Sequence, residues 1–158
     1  MPELQTVIVY TDGACDPNPG IGGWAAMLMV KDRPDIPPKL ISGGEAESTN
    51  NRMEMTAVIE ALKSLKTKCR VILNVDSEYV MNAFTKKWLE GWKKRGWKTS
   101  DRKPVKNQDL WEKLEPEVQR HEVVWNWIRG HHVDELNIEV DEAAVAARLK
   151  IAADLRKK

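Results

Sequence analysis

The sequence predicts an α/β domain built on a mixed, five-stranded sheet flanked by helices. Three observations carry that prediction. Two short apolar runs, Val7–Tyr10 and Val71–Val75, each lead into an aspartate, Asp12 and Asp76. Runs this short and this rich in β-branched residues suit strands in the middle of a sheet, buried on both faces. A stretch with apolar residues at helical spacing lies between them, which makes a crossover unit with parallel strands. The segments between the first run and that helix read as two further strands of an antiparallel meander. At 158 residues the chain has the length of one domain, expected over residues 1–158.

The first strand ends in Asp12, with Gly13 allowing close backbone approach. Asp16, Pro17, Asn18, Pro19 and Gly20 form a turn, which also holds Cys15. Gly22–Val30 reads as the second strand, Lys31–Pro38 as a loop with three prolines, and Lys39–Gly44 as a weak third strand. Ser48–Lys66 contains the first helix and its approach, with Met53, Ala57, Val58, Ala61, Leu62 and Leu65 on its apolar face. Thr49, Asn50 and Asn51 are its candidate N-caps, and Glu54 falls in its first turn. Arg70–Asp76 is the fourth strand, and Ser77 caps a short helix over Glu78–Thr85. Asn107 is placed as the cap of a helix running to Gln119, with Pro116 as a candidate bend. Val123–Ile128 is the last strand, followed by a loop with Arg129, Gly130, His131 and His132. Asp141 opens the last helix, which ends in Arg156, Lys157 and Lys158.

Composition narrows the function classes. No apolar run is long enough to span a membrane, and no signal peptide is visible. Cys15 and Cys69 have neither metal-site spacing nor partners for a disulfide framework, so free thiols in a reducing, cytoplasmic compartment are expected. The net charge of +1 conceals an asymmetry. Lys86–Lys106 holds nine basic and two acidic residues, a local +7 against −6 for the rest of the chain. That segment also carries Trp88, Trp92 and Trp97, with Trp111 just beyond it. Tryptophans at this spacing are commonly packing residues. The Lys93-Lys94-Arg95-Gly96-Trp97-Lys98 run nevertheless interleaves cations with an aromatic and a glycine, which suits a nucleic-acid backbone.

Each carboxylate at an element end has an ordinary account when taken alone. Asp12 and Asp76 could serve turns, while Glu54 and Asp141 could serve helix dipoles. Parallel neighbouring strands, however, present Asp12 and Asp76 at one edge of the sheet. Glu54, at the start of the crossover helix, needs separate positioning to join them; together the four carboxylates, two of them on adjacent parallel strands, would need cations. Oxygen ligands without cysteine or clustered histidine select Mg²⁺, with Mn²⁺ as a substitute, over Zn²⁺. Such a site can hold two ions ~3.5–4 Å apart, the arrangement used for in-line attack on a phosphodiester.

The ordered motifs TDGACDPNPG, GGWAA, TNNRMEM, VDSEYV and WKKRGWKTSDRKPVKNQDLW resemble those of type 1 ribonuclease H of the bacterial form over nearly the whole chain. A Gly-His pair at Gly130-His131, ten residues before the aspartate of VDEAA, completes the set. The resemblance implies strand order 3-2-1-4-5 and metal-dependent cutting of the RNA strand of an RNA–DNA hybrid by a monomer, leaving 5′-phosphate and 3′-hydroxyl ends. It implies that Asp12, Glu54, Asp76 and Asp141 are metal ligands and that His131 assists proton transfer and product release. It further implies hybrid contacts at Asn18, Thr49, Asn50 and Asn51 and a DNA-phosphate contact at Asn107. The basic protrusion, or handle, would span about 86–106, with Trp92 as its aromatic contact to DNA and Trp88, Lys93, Lys94, Trp97 and Lys98 beside it. The chain departs from the family pattern at Ile138, where Glu is usual after Asn137. It departs again at Glu78, where Gln is common, and at Glu47, where some members carry a basic residue. The first departure makes Asp134 a rival to Asp141; spacing from His131 favours Asp141.

Two other classes compete. A non-catalytic nucleic-acid-binding module would keep the handle and lose the carboxylates. An integrase-like DNA nuclease would keep the carboxylates and lack TNNRMEM and the handle.

Overall fold

A computed structural model describes residues 4–128 and 135–157. Five strands form one sheet in the order β3-β2-β1-β4-β5, as expected. They are β1 (Thr6–Cys15), β2 (Gly20–Val30), β3 (Lys39–Ser48), β4 (Arg70–Val75) and β5 (Glu122–Trp127). β1, β2 and β3 form the antiparallel meander, whereas β4 lies parallel to both β1 and β5. The helices are α1 (Asn50–Lys63), α2 (Glu78–Thr85), α3 (Trp88–Lys94), α4 (Gln108–Arg120) and α5 (Glu135–Arg156).

The two faces of the sheet are covered unequally. The larger core joins Val7, Val9, Leu73 and Val75 of the sheet to Met55, Val58 and Leu62 of α1, Val80 of α2, Leu89 of α3 and Leu110, Trp111 and Leu114 of α4. The smaller core lies on the opposite face, where Val140 and Ala144 of α5 meet Ala25 and Met27 of β2. Gly23 makes this second contact possible, since a Cβ there would collide with the backbone of Ala144 and Arg148. β1 is therefore buried on one face and half-buried on the other, at Ile8 and Tyr10, rather than enclosed on both.

Several boundaries differ from expectation for identifiable reasons. β1 continues past Asp12 to Cys15, because Asp12 and Gly13 remain paired with Ala25 and Trp24. Cys15 is consequently the last residue of the strand rather than part of the turn, and it is a buried free thiol. β3 likewise extends to Ser48 by pairing with Gly20 across an irregularity in register. Thr49 is the N-cap of α1, its hydroxyl accepting from the Arg52 amide at 3.1 Å. Ser77 caps α2 through the Val80 amide. Asp141 does not open the last helix: α5 is already helical from Glu135, so Asp141 sits two turns in. A dipole role at the first turn is thereby removed for Asp141.

Candidate active site

β1 brings Asp12 to the place where the sheet divides. The β1–β4 register ends at Tyr10–Asn74, so Asp12 and Asp76 lie just beyond the last pair, where the two strands part. Glu54 arrives from the first turns of α1. Its approach depends on Gly13, where a Cβ would stand 2.6 Å from the Glu54 nitrogen and 2.8 Å from the Met53 Cβ. Contacts that close exclude any side chain, which is why glycine follows Asp12. The Gly13 amide donates to Glu54 Oε1 at 3.1 Å and to Asp12 Oδ1 at 2.9 Å.

Asp12, Glu54 and Asp76 each offer an oxygen within 4.8 Å of the others. Asp141 reaches the same cluster from α5, its carboxyl hydrogen-bonded to that of Asp12. The structure therefore gathers Asp12, Glu54 and Asp76 in one cluster, with Asp141 against Asp12. Ile138, the departure from the family pattern, is on the exposed side of α5 and does not disturb that approach. Asp134, His131 and His132 lie outside the described residues.

The electrostatics of the cluster are those of crowded, buried carboxyl groups. Asp12 is 5% exposed and Glu54 9%. Burial, the hydrogen bond to Asp141 and the nearby charge of Asp76 push the Asp12 carboxyl up to about 8. Burial and the charges of Asp76 and Asp12 hold Glu54 well above the usual carboxylate range, against the opposing Gly13 amide. Among the described residues, Glu54 Oε2 is buried with no hydrogen-bond partner. A buried carboxylate oxygen left unpaired is costly. The oxygen-only donor set, mutual repulsion and this orphaned oxygen together fit divalent hard cations. Bound cations would hold the carboxyls ionised.

The residues expected to contact nucleic acid form two groups. Near the cluster, the Asn50 amide donates to Asn18 Oδ1 at 3.1 Å, and Asn50 Oδ1 accepts from the Cys15 amide at 2.8 Å. Together with Thr49, these bonds tie the β1–β2 turn to the start of α1. Asn18, Asn50 and Asn51 are exposed. Asn107 stands at the N-cap position of α4, yet its side chain makes no capping bond. Instead its Oδ1 accepts from Arg52 Nη1 at 3.3 Å and its Nδ2 donates to Tyr79 Oη at 3.2 Å. Arg52 also makes a bidentate pair with Asp109, at 2.9 and 2.8 Å. Sequence reasoning missed Arg52, Tyr79 and Asp109 in this network. Arg52 lies inside TNNRMEM and Asp109 inside KNQDLW, but nothing in either motif shows that they meet.

The handle combines packing with exposed charge. Trp111 is completely buried and touches Tyr79, Phe84 and Trp92, with ring centroids 5.3–6.1 Å apart. Trp92 and Trp97 are half-buried against the same core, whereas Trp88 is 39% exposed. Lys93 pairs with Glu115 at 2.8 Å and Lys94 with Glu90 at 3.6 Å, while Lys98 is exposed. A hollow of about 310 Å³ lies between handle and body, lined in part by Asn51, Tyr79, Trp92, Thr99 and Lys106. No described helix is long and apolar enough to cross a membrane.

Comparison with known proteins agrees with this geometry. The RNase H family model matches residues 4–148. The Ribonuclease H of Cupriavidus pinatubonensis is 52% identical over 141 residues, 89% of this chain and 94% of that one. The Ribonuclease HI of Pseudomonas aeruginosa is 50% identical over 144 residues, 91% and 94% of the two chains. Among solved structures, LC9-RNase H1, described as a type 1 RNase H with the type 2 active-site motif, superposes with a TM-score of 0.80 at 30% identity, covering 94% of this chain and 74% of its own. LC11-RNase H1, solved in complex with an RNA/DNA hybrid, shares the fold at 22% identity and a TM-score of 0.68, covering 92% of this chain and 99% of its own.

Proposed function

Because the chain belongs to the ribonuclease H family, we propose that it hydrolyses the RNA strand of RNA–DNA hybrids, leaving 5′-phosphate and 3′-hydroxyl ends. The observation that carries this reading is the convergence of Asp12, Glu54 and Asp76 within 4.8 Å, with Asp141 bonded to Asp12. Asp12 and Asp76 would hold the ions most directly, Asp141 would complete the set, and Glu54 would both ligate and hydrogen-bond a ribose 2′-hydroxyl. When bound, two Mg²⁺ ions supply the Lewis acidity that makes water nucleophilic and neutralises charge developing on the leaving 3′-oxygen.

The protein does the rest. Water adds to phosphorus, the bond to the 3′-oxygen breaks, and that oxygen leaves as a hydroxyl. His131 moves protons between the reacting water and solvent. Asn18, Thr49, Asn50 and Asn51 line the strip beside the carboxylates, where contacts to the 2′-hydroxyl distinguish RNA from DNA. The handle holds the DNA strand through phosphate contacts from Lys93, Lys94 and Lys98, with Trp88, Trp92 and Trp97 as apolar surface for sugar or base. Asn107, fixed by Arg52 and Tyr79, contacts a DNA phosphate.

Asp76→Asn tests the catalytic reading against the binding-module reading. The variant should bind a labelled hybrid in Mg²⁺ with affinity close to wild type and leave the RNA strand intact. Equal cleavage by variant and wild type would remove the carboxylate cluster from the mechanism.

A further inference from the structure

We infer that Asn126 and Trp127 of β5 are positioning residues that fix Asp76 relative to Asp12 and so set the affinity of the cluster for divalent ions. The inference rests on the proposed metal-dependent reading of the site. It starts from the division of the sheet. β1 and β4 stop pairing at Tyr10–Asn74, two residues before Asp76. The β4–β5 register continues one residue further, to Val75–Trp127, and the Ile128 amide then donates to the Val75 carbonyl at 2.9 Å. Backbone support at the Asp76 end of β4 therefore comes from β5, on the side away from Asp12.

Two side-chain bonds extend that support. Trp127 Nε1 donates to the backbone carbonyl of Asp76 at 3.1 Å. Asn126 Nδ2 donates to Asn74 Oδ1 at 2.6 Å, and Asn74 Nδ2 in turn donates to the Val9 carbonyl at 3.1 Å. Consecutive strand residues point to opposite faces of a sheet. Trp127 thus braces the end of β4 from one face while Asn126 braces it from the other. The Asn126–Asn74–Val9 chain also crosses three strands, linking β5 to β1 just below the split. Asn74 is buried, so a lost bond there is not readily replaced by water. These bonds hold the backbone from which Asp12 and Asp76 project.

Partners that orient metal ligands typically change metal affinity or activity 10–100-fold when removed. Trp127→Phe keeps an aromatic ring and deletes the indole N–H. Calorimetric titration of the substrate-free protein with MnCl₂ should show affinity reduced about tenfold. The KM for hybrid should stay within about twofold of wild type while kcat falls, since uniform binding is untouched. Asn126→Ala, at an exposed position, is the second arm and should shift Mn²⁺ affinity in the same direction, which covers the case in which Trp127→Phe fails to fold. Mn²⁺ affinities within twofold of wild type in the folded variants overturn the inference and leave the proposed function standing. A wild-type protein that binds no Mn²⁺ overturns the inference through the proposed function on which it rests.

Discussion

Replacing Asp12 by Asn removes one negative charge from the most crowded part of the molecule. The folded protein holds the Asp12 proton up to about pH 8, against 3.8 for an ordinary aspartate, chiefly because of burial, the Asp141 hydrogen bond and the charge of Asp76. The folded state therefore binds this proton more tightly than the unfolded chain does. Stability that is complete below about pH 4 is lost as the pH rises toward 8. At ~1.4 kcal/mol per unit, the loss for metal-free protein at pH 7 is on the order of 4 kcal/mol. Asn leaves Glu54 and Asp76 still facing each other, so about half of this, roughly 2 kcal/mol, should be recovered. For a chain of this length that is a rise of roughly 4–8 °C in Tm. Thermal denaturation in EDTA from pH 4 to pH 9 measures it. The variant should gain on wild type with rising pH and show no advantage near pH 4. Metal should narrow the gap by stabilising wild type more than the variant. A metal-free variant that is no more stable than wild type at pH 7–9 would refute the reasoning.

Gly13→Ala should have the opposite effect. Its Cβ would press on the Met53–Glu54 backbone, costing about 1–3 kcal/mol by denaturant titration and abolishing tight Mn²⁺ binding as Glu54 is displaced. In the handle, Lys98→Ala should lower the slope of log affinity against log salt by about 0.7–0.9 if the lysine contacts phosphate. Lys93→Ala should change it less, because Lys93 is already paired with Glu115; equal slopes for all lysine variants and wild type would make the handle a solvated surface. His131→Ala should reduce kcat by about 10²–10⁴-fold with hybrid affinity preserved, and His132→Ala should cost far less. Equal losses from the two would reopen the assignment of Asp141 in favour of Asp134.

The sheet and the carboxylate cluster were legible because their signals are local. β-branched runs ending in aspartate mark β1 and β4, and the crossover helix between them makes the strands parallel. Asp12 and Asp76 then share an edge by geometry alone. The limits of those signals are equally physical. β1 runs on to Cys15 because of its pairing with β2, and a strand's length depends on its partner as much as on its own residues. A carboxylate at position 141 suits the dipole of a helix that starts there; the helix begins earlier, at Glu135, and Asp141 reaches Asp12 from its second turn. Asn107 has the residue type of an N-cap but takes a left-handed backbone with φ 63° and spends its side chain on Arg52 and Tyr79. The brace from Asn126 and Trp127 left no trace in the sequence, because a side chain bonded to another strand's carbonyl depends on register, and register follows from the assembled sheet.

Cleavage of three end-labelled duplexes of one sequence, RNA–DNA, DNA–DNA and RNA–RNA, with Mg²⁺ and with EDTA, tests the central claim most directly. The RNA strand of the hybrid should be cut internally in Mg²⁺, to 3′-hydroxyl and 5′-phosphate ends, while its DNA strand and both other duplexes stay intact and EDTA stops the reaction. Cutting of either DNA strand, or undiminished cutting of the hybrid in EDTA, would contradict the account.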